Sequence, residues 1–122
     1  MNLGIERRRD RRVKLLWPIW FGYAEDSEFF RGQIVDLSRG GVSFSIEQDN
    51  CPEVGTHLRT NFSYPHDVSE EFDMGSYAHW AEVVRVDKLP GTKHRVAMRL
   101  HERLSSEPCA MIPEAAFAAA LN

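Results

Sequence analysis

The cleanest pattern in the chain is an alternation: Val42, Phe44 and Ile46 fall on one side, Ser43, Ser45 and Glu47 on the other. A period of two is the mark of a strand with one buried and one wet face. Similar segments lie on either side of it. Residues 13–21 are rich in β-formers, with Pro18 suggesting an edge or a bulge, and residues 29–37 carry Phe29, Phe30, Ile34 and Val35. Residues 57–64 place Leu58 and Phe62 inward, residues 77–86 hold Trp80, Val83, Val84 and Val86, and residues 94–100 form a returning strand. Gly40-Gly41, Pro52 with Gly55, and Pro90-Gly91 punctuate these runs, and residues 65–75 read as an acidic loop. Six short strands at regular spacing predict a mainly β fold, a closed or nearly closed antiparallel barrel.

The ends differ from the middle. Residues 1–12 are polar and charged without an apolar period, which predicts a flexible basic arm. Residues 113–121 are alanine-rich, with Pro113 suited to a first helical turn, and predict a short C-terminal α-helix. A helix that short needs the barrel to pack on, or offers a face to a partner or a homodimer. No repeat or linker divides the chain. It reads as one domain: arm 1–12, barrel 13–104, and tail 105–122.

Composition narrows the chemistry. The 122 residues carry a net charge of −3, unevenly spread. The positive charge is concentrated in residues 6–14, whereas residues 47–73 are acidic. A protein that coats DNA or RNA needs a broad basic face, so a short basic arm suits a small anion better. The longest apolar run, Ala-Ala-Phe-Ala-Ala-Ala-Leu, is far below the roughly 20 residues of a membrane span, and no apolar segment adjoins the N-terminal cations. A cytoplasmic protein without membrane insertion is the expectation, with Cys51 and Cys109 as free thiols. The five histidines show no ligand spacing and no C-x-x-C accompanies them, so no metal cofactor is expected. No nucleophile is paired with a base, so no catalytic residues are expected. Trp17, Trp20 and Trp80 read as core or rim residues, with partner binding as the minority role.

Two motifs carry the candidate chemistry. Arg7-Arg8-Arg9-Asp10-Arg11-Arg12 contains R-x-x-x-R at Arg8 and Arg12, or in another register at Arg7 and Arg11. Two guanidiniums four apart share a face in a helix and also in an extended chain. Their planar forks suit phosphates and the O6/N7 edge of guanine. Alone, such a run is most often a solvated surface, and next a generic nucleic-acid patch. Asp36-Leu37-Ser38-Arg39-Gly40-Gly41 reads D-x-S-x-x-G at a strand end. It sets a carboxylate and a hydroxyl on one side, beside glycines that can take positive φ and admit a ligand to the backbone. Alone, it reads first as an ordinary turn in which Asp36 and Ser38 bond their own backbone.

In this order, the two motifs resemble the PilZ domain, a bacterial receptor module for cyclic di-GMP. The resemblance covers roughly residues 7–102, including the hairpin 80–86 and 95–100. It implies a six-stranded barrel with a C-terminal helix. It also implies that Arg8 and Arg12 grip guanine edges and phosphates while Asp36, Ser38 and Gly41 floor the pocket. Arg39 and Gly40 occupy variable positions with a weaker supporting role, and Arg7 adds a cation compatible with a self-intercalated ligand dimer. Asp10 inside the arginine run could pair with a neighbour and weaken the grip. The implied function is non-catalytic: ligand folds the arm over the barrel, and a downstream protein controlling motility, exopolysaccharide or biofilm formation reads the new surface. The rival is an adaptor with the same barrel that ignores the nucleotide. A DNA-binding arm is a third reading.

Overall fold

The computed structural model describes residues 12–24, 28–68 and 71–109. Seven strands follow in order: β1 (Val13–Lys14), β2 (Pro18–Gly22), β3 (Phe30–Leu37), β4 (Gly41–Glu47), β5 (His57–Val68), β6 (Glu71–Lys88) and β7 (Lys93–Leu100). A single 3-10 turn at Gln48–Asn50 links β4 to β5. Every pairing is antiparallel. Strands β3-β2-β5-β6-β7-β4 run side by side, and β4 returns to β3, so six strands close a barrel and β1 is a seventh on β3. Closure removes the free edges that would invite aggregation. The residues predicted for the C-terminal helix lie outside those described, as do Arg7 and Arg8.

The alternation read from the sequence fills the barrel. Ile19, Phe21, Ile34, Phe44, Leu58, Phe62, Val83 and Val96 are all essentially without exposure, and Phe21 packs on Phe44 at 5.3 Å between ring centroids. Burying one such side chain contributes about 1.5–3 kcal/mol, which makes this interior the main source of stability.

Two expectations need correction. Residues 13–21 do not form one strand. Pairing with β3 slips by one residue between Lys14↔Asp36 and Pro18↔Gln33. The backbone stays bonded through the slip, Leu15 N–H to Val35 O at 3.1 Å and Ile34 N–H to Trp17 O at 2.7 Å. The irregularity keeps Leu15 in the core and turns Leu16 out to 76% exposure. Pro18 marks this slip.

Residues 65–75 are not a loop either. They continue β5 and β6 as a long hairpin, from Pro65↔Met74 to Val68↔Glu71. Two apparent turn residues have other duties there. The Pro65 carbonyl accepts the Cys109 N–H at 3.0 Å, on the edge away from β6. Since N–H and C=O of one strand residue point the same way, the N–H that proline lacks is not needed by the β6 ladder. Gly75 lies under its cross-strand partner Tyr64, and a Cβ there would sit 2.5 Å from the ring. The glycine therefore accommodates a fully buried tyrosine and does not break the strand.

Candidate functional site

Two bulges shape one outer face of the barrel. In β3 the register against β4 shifts between Ile34 and Asp36. Ile34 and Leu37, three apart, can therefore both enter the core, and Asp36 is turned outward. In β6 the register against β7 shifts between Val83 and Arg85, leaving Val84 exposed. Between these strands, β7 alternates Val96, Met98 and Leu100 inward with Arg95, Ala97 and Arg99 outward. The small side chain of Ala97 between two arginines leaves a hollow of about 500 Å³.

Arg12, Asp36, Ser38, Gly40 and Gly41 all line this cavity. Five of the predicted positions, drawn from both motifs, thus converge. Asp36 is the hub. Its Oδ1 accepts the Ser43 hydroxyl at 2.9 Å, and its Oδ2 accepts Arg95 Nη2 at 2.5 Å. Arg95 also donates to Ser43 Oγ through Nε at 3.3 Å and Nη2 at 3.1 Å, closing a triangle. Arg12 Nη1 stands farther off, 4.0 Å from Asp36 Oδ2. A carboxylate has about four acceptor positions, so Asp36 keeps capacity for a ligand's N–H groups after serving Ser43 and Arg95.

The glycine turn works differently from the sequence expectation. Among the described glycines only Gly55 and Gly91 have positive φ, so neither Gly40 nor Gly41 uses that freedom. Ser38 N–H donates to Gly41 O at 2.8 Å, and Gly40 O accepts Leu100 N–H at 2.9 Å. Gly41 is needed for close approach, because a Cβ there would lie 3.2 Å from the Met98 carbonyl of β7. The Ser38 hydroxyl meets Gly41 O at 3.4 Å, longer than a good O–H···O bond, and can turn to another acceptor.

Arg39 takes another direction. Its Nε donates to Leu104 O at 3.0 Å while its carbonyl accepts Leu104 N–H at 2.8 Å. It fastens the segment after β7 to the turn and does not line the cavity.

Sequence reasoning missed Ser43, Arg85, Arg95 and Arg99. The outward phase of β7 was legible, but the pairing that sets Arg95 beside Asp36 was not. Three of the cavity's arginines carry close carboxylates: Arg95 with Asp36, Arg85 with Asp87 at 2.9 Å, and Arg99 with Glu82. The fold also joins histidines that spacing kept apart, His57 and His101 with ring nitrogens 3.0 Å apart. Among the described residues no group of three or more His, Cys, Asp or Glu could hold a metal, and no helix is long and apolar enough to cross a membrane.

Known proteins place this architecture. The structure of the Bacillus subtilis inhibitor of motility MotI/DgrA superposes with a TM-score of 0.60 at 18% identity, covering 93% of this chain and 47% of that one. The chain therefore spans about half the length of that protein, and at this identity the likeness is one of fold. The PilZ domain with c-di-GMP of YcgR from Escherichia coli gives a TM-score of 0.47 at 16% identity, over 78% of each chain. No curated protein matches in sequence. The PilZ domain family model, however, matches residues 6–117, taking in both motifs and every strand. By that match the chain belongs to the PilZ domain family.

Proposed function

We propose that this chain is a non-catalytic receptor for cyclic di-GMP and that the cavity around Asp36 is where the nucleotide binds. The observation that carries the reading is the convergence of Arg12, Asp36, Ser38, Gly40 and Gly41 on one hollow in a PilZ domain. Its volume, about 500 Å³, falls in the range of roughly 300–1,000 Å³ usual for small-molecule sites. Each lining group has a task. Arg12 supplies a fork for a phosphate or a guanine edge. Asp36, oriented by Ser43 and Arg95, accepts guanine N–H groups. Ser38 donates to a phosphate oxygen, and the bare backbone at Gly40 and Gly41 lets the ligand come close.

Arg8 would join Arg12 on the same ligand, and Arg7 would stack on a second nucleotide if the ligand binds as a dimer. Ordering such a segment costs roughly 1–2 kcal/mol per residue, which several charge-assisted bonds at about 1.5–3 kcal/mol each can offset. The complex would present a changed surface to a cytoplasmic partner protein governing motility, exopolysaccharide or biofilm formation. Calorimetric titration with cyclic di-GMP tests the reading. Saturable binding that is lost in Arg12→Ala supports it, and a stoichiometry of two supports the role of Arg7. No saturation in the wild type, seen also by a second binding assay, would leave the protein-only adaptor as the better account.

A further inference from the structure

The barrel carries a second arginine-bearing face, away from the Asp36 cavity, on the outer side of β2, β5 and β6. Trp20 on β2 lies between Arg31 of β3 and Asn61 of β5 in the sheet register. Asn61 is opposite Ala78 of β6, and Arg59 is opposite Trp80. Phe29, Arg59, Ala78 and Trp80 line a shallow groove of about 270 Å³ beside them. Trp20 and Phe29 keep 40% and 42% of their surface exposed, and among the described residues few large apolar side chains are so open.

The electrostatics of this face are unlike those of the cavity. The Arg31 guanidinium lies 5.9 Å from the Trp20 ring centroid, and the Arg59 guanidinium 4.7 Å from that of Phe29. Among the described residues no carboxylate pairs with either. Arg59 donates one bond, Nη2 to Ala24 O at 2.6 Å, while its Nε is buried without an acceptor. A cation on an aromatic ring gains about 0.5–1 kcal/mol at an exposed site, less than a hydrogen-bonded carboxylate supplies. Both guanidiniums thus hold unused donors beside open aromatic rings, in a protein whose net charge is −3. Exposed tryptophan and arginine around a groove are the residue types that dominate binding energy at protein interfaces.

We propose that this face docks an acidic, partly apolar segment of a partner protein. Its carboxylates pair with Arg31 and Arg59, and its apolar side chains cover Trp20, Phe29 and Trp80. A single-stranded nucleic acid fits less well, because tracking a phosphate backbone needs a run of cations and this face offers two. The inference does not rest on nucleotide binding. The surface exists without ligand and uses none of the cavity residues.

Selection of a random dodecapeptide phage library on the purified protein tests it, with counter-selection on the Arg31→Glu/Arg59→Glu variant. The expected peptides are enriched in Asp and Glu interspersed with apolar residues. They bind the wild type and Arg12→Ala equally, and lose at least 10-fold in affinity for the doubly reversed variant and for Trp20→Ala. A thermal melt and cyclic di-GMP titration of the reversed variant, both unchanged, show that its fold and cavity are intact. Peptides without acidic enrichment, or binding indifferent to the charge reversal, would overturn the proposal. So would an oligo-dT that binds the wild type, displaces the peptides and is itself lost on reversal, which would make the face a nucleic-acid site.

Discussion

Two faces of one barrel use arginine in opposite ways. Around the cavity, Arg85, Arg95 and Arg99 each meet a carboxylate, and Arg95 is further fixed by Ser43. On the far face, Arg31 and Arg59 lie over aromatic rings, and among the described residues no acid is paired to them. A matched guanidinium mainly positions its partner, since an incoming anion must replace an existing bond. An unmatched one presents its charge directly to whatever arrives. Arg12 stands between these cases: at 4.0 Å from Asp36 it is the most loosely held cation of the cavity and can turn to a phosphate without breaking a close pair. The cavity is suited to orienting a small ligand, and the far face to attracting an acidic one.

The largest effect should come from a change that spares neither face. Gly32 lies on β3, between β2 and β4, and a Cβ there would sit 2.7 Å from the Phe44 ring and 3.0 Å from Ser45 O. Gly32→Val adds methyl groups beyond that overlap, in a core where Phe44 has no exposure to yield. The expected loss exceeds roughly 3 kcal/mol, the upper end of ordinary overpacking. Thermal melting should show it, with nucleotide and peptide binding falling together. A stable Gly32→Val protein would show that β3 can bow without disturbing either face.

Arg12→Ala comes next and should separate the faces. Losing a charge-assisted bond to the ligand costs about 1.5–3 kcal/mol, roughly a 10- to 150-fold loss of cyclic di-GMP affinity. The side chain is half exposed and bonded only at long range, so the melting temperature should hold. An affinity unchanged by this substitution would remove Arg12 from the site.

The two faces were unequally legible in the sequence. Asp36, Ser38 and Gly41 could be found because their spacing within one strand and turn is local, and the strand phase of Val42, Phe44 and Ile46 set the barrel's interior. Arg95 and Ser43 could not, because their roles arise only when β4 pairs with both β3 and β7. The β3 bulge is equally invisible: nothing in Ile34-Val35-Asp36-Leu37 announces that the alternation will slip. Pro65 and Gly75 misled for the opposite reason. Their turn propensity is real, but a carbonyl bonded to Cys109 and a buried Tyr64 ring override it. The far face joins four segments of chain, so no motif could mark it, and its tryptophans read as core or rim residues.

Arg95→Lys should give a smaller, more diagnostic change. Lysine keeps the charge but not the fork that reaches Asp36 and Ser43 together. We expect about a 10-fold loss of nucleotide affinity as Asp36 loses its orientation, from one charge-assisted bond of about 1.5 kcal/mol. The salt dependence of binding should stay unchanged, because the net charge of the cavity is the same. A weakened salt dependence would mean that Arg95 contacts the phosphates directly.

The smallest effect concerns the anchorage of Trp80 on the far face. The Tyr77 hydroxyl donates to the Trp80 carbonyl at 2.6 Å and accepts the Glu102 N–H at 3.3 Å. His101 N–H also donates to that carbonyl, at 3.1 Å, so Trp80 is held twice. Burial pushes the Tyr77 hydroxyl pKa up, opposed by the backbone hydrogen bonds of Glu102 and His101 and reinforced by the Glu102 carboxylate. The neutral phenol is thus favoured by folding. Its contribution is fully present below the unfolded value of about 10 and is lost as pH rises through the higher folded value. Tyr77→Phe should cost about 1 kcal/mol at neutral pH, and the gap to the wild type should narrow above pH ~10. Peptide affinity should fall no more than about threefold while His101 still holds the carbonyl, and nucleotide affinity should not change. A larger loss of peptide binding would mean that Trp80 is positioned chiefly by this one phenol.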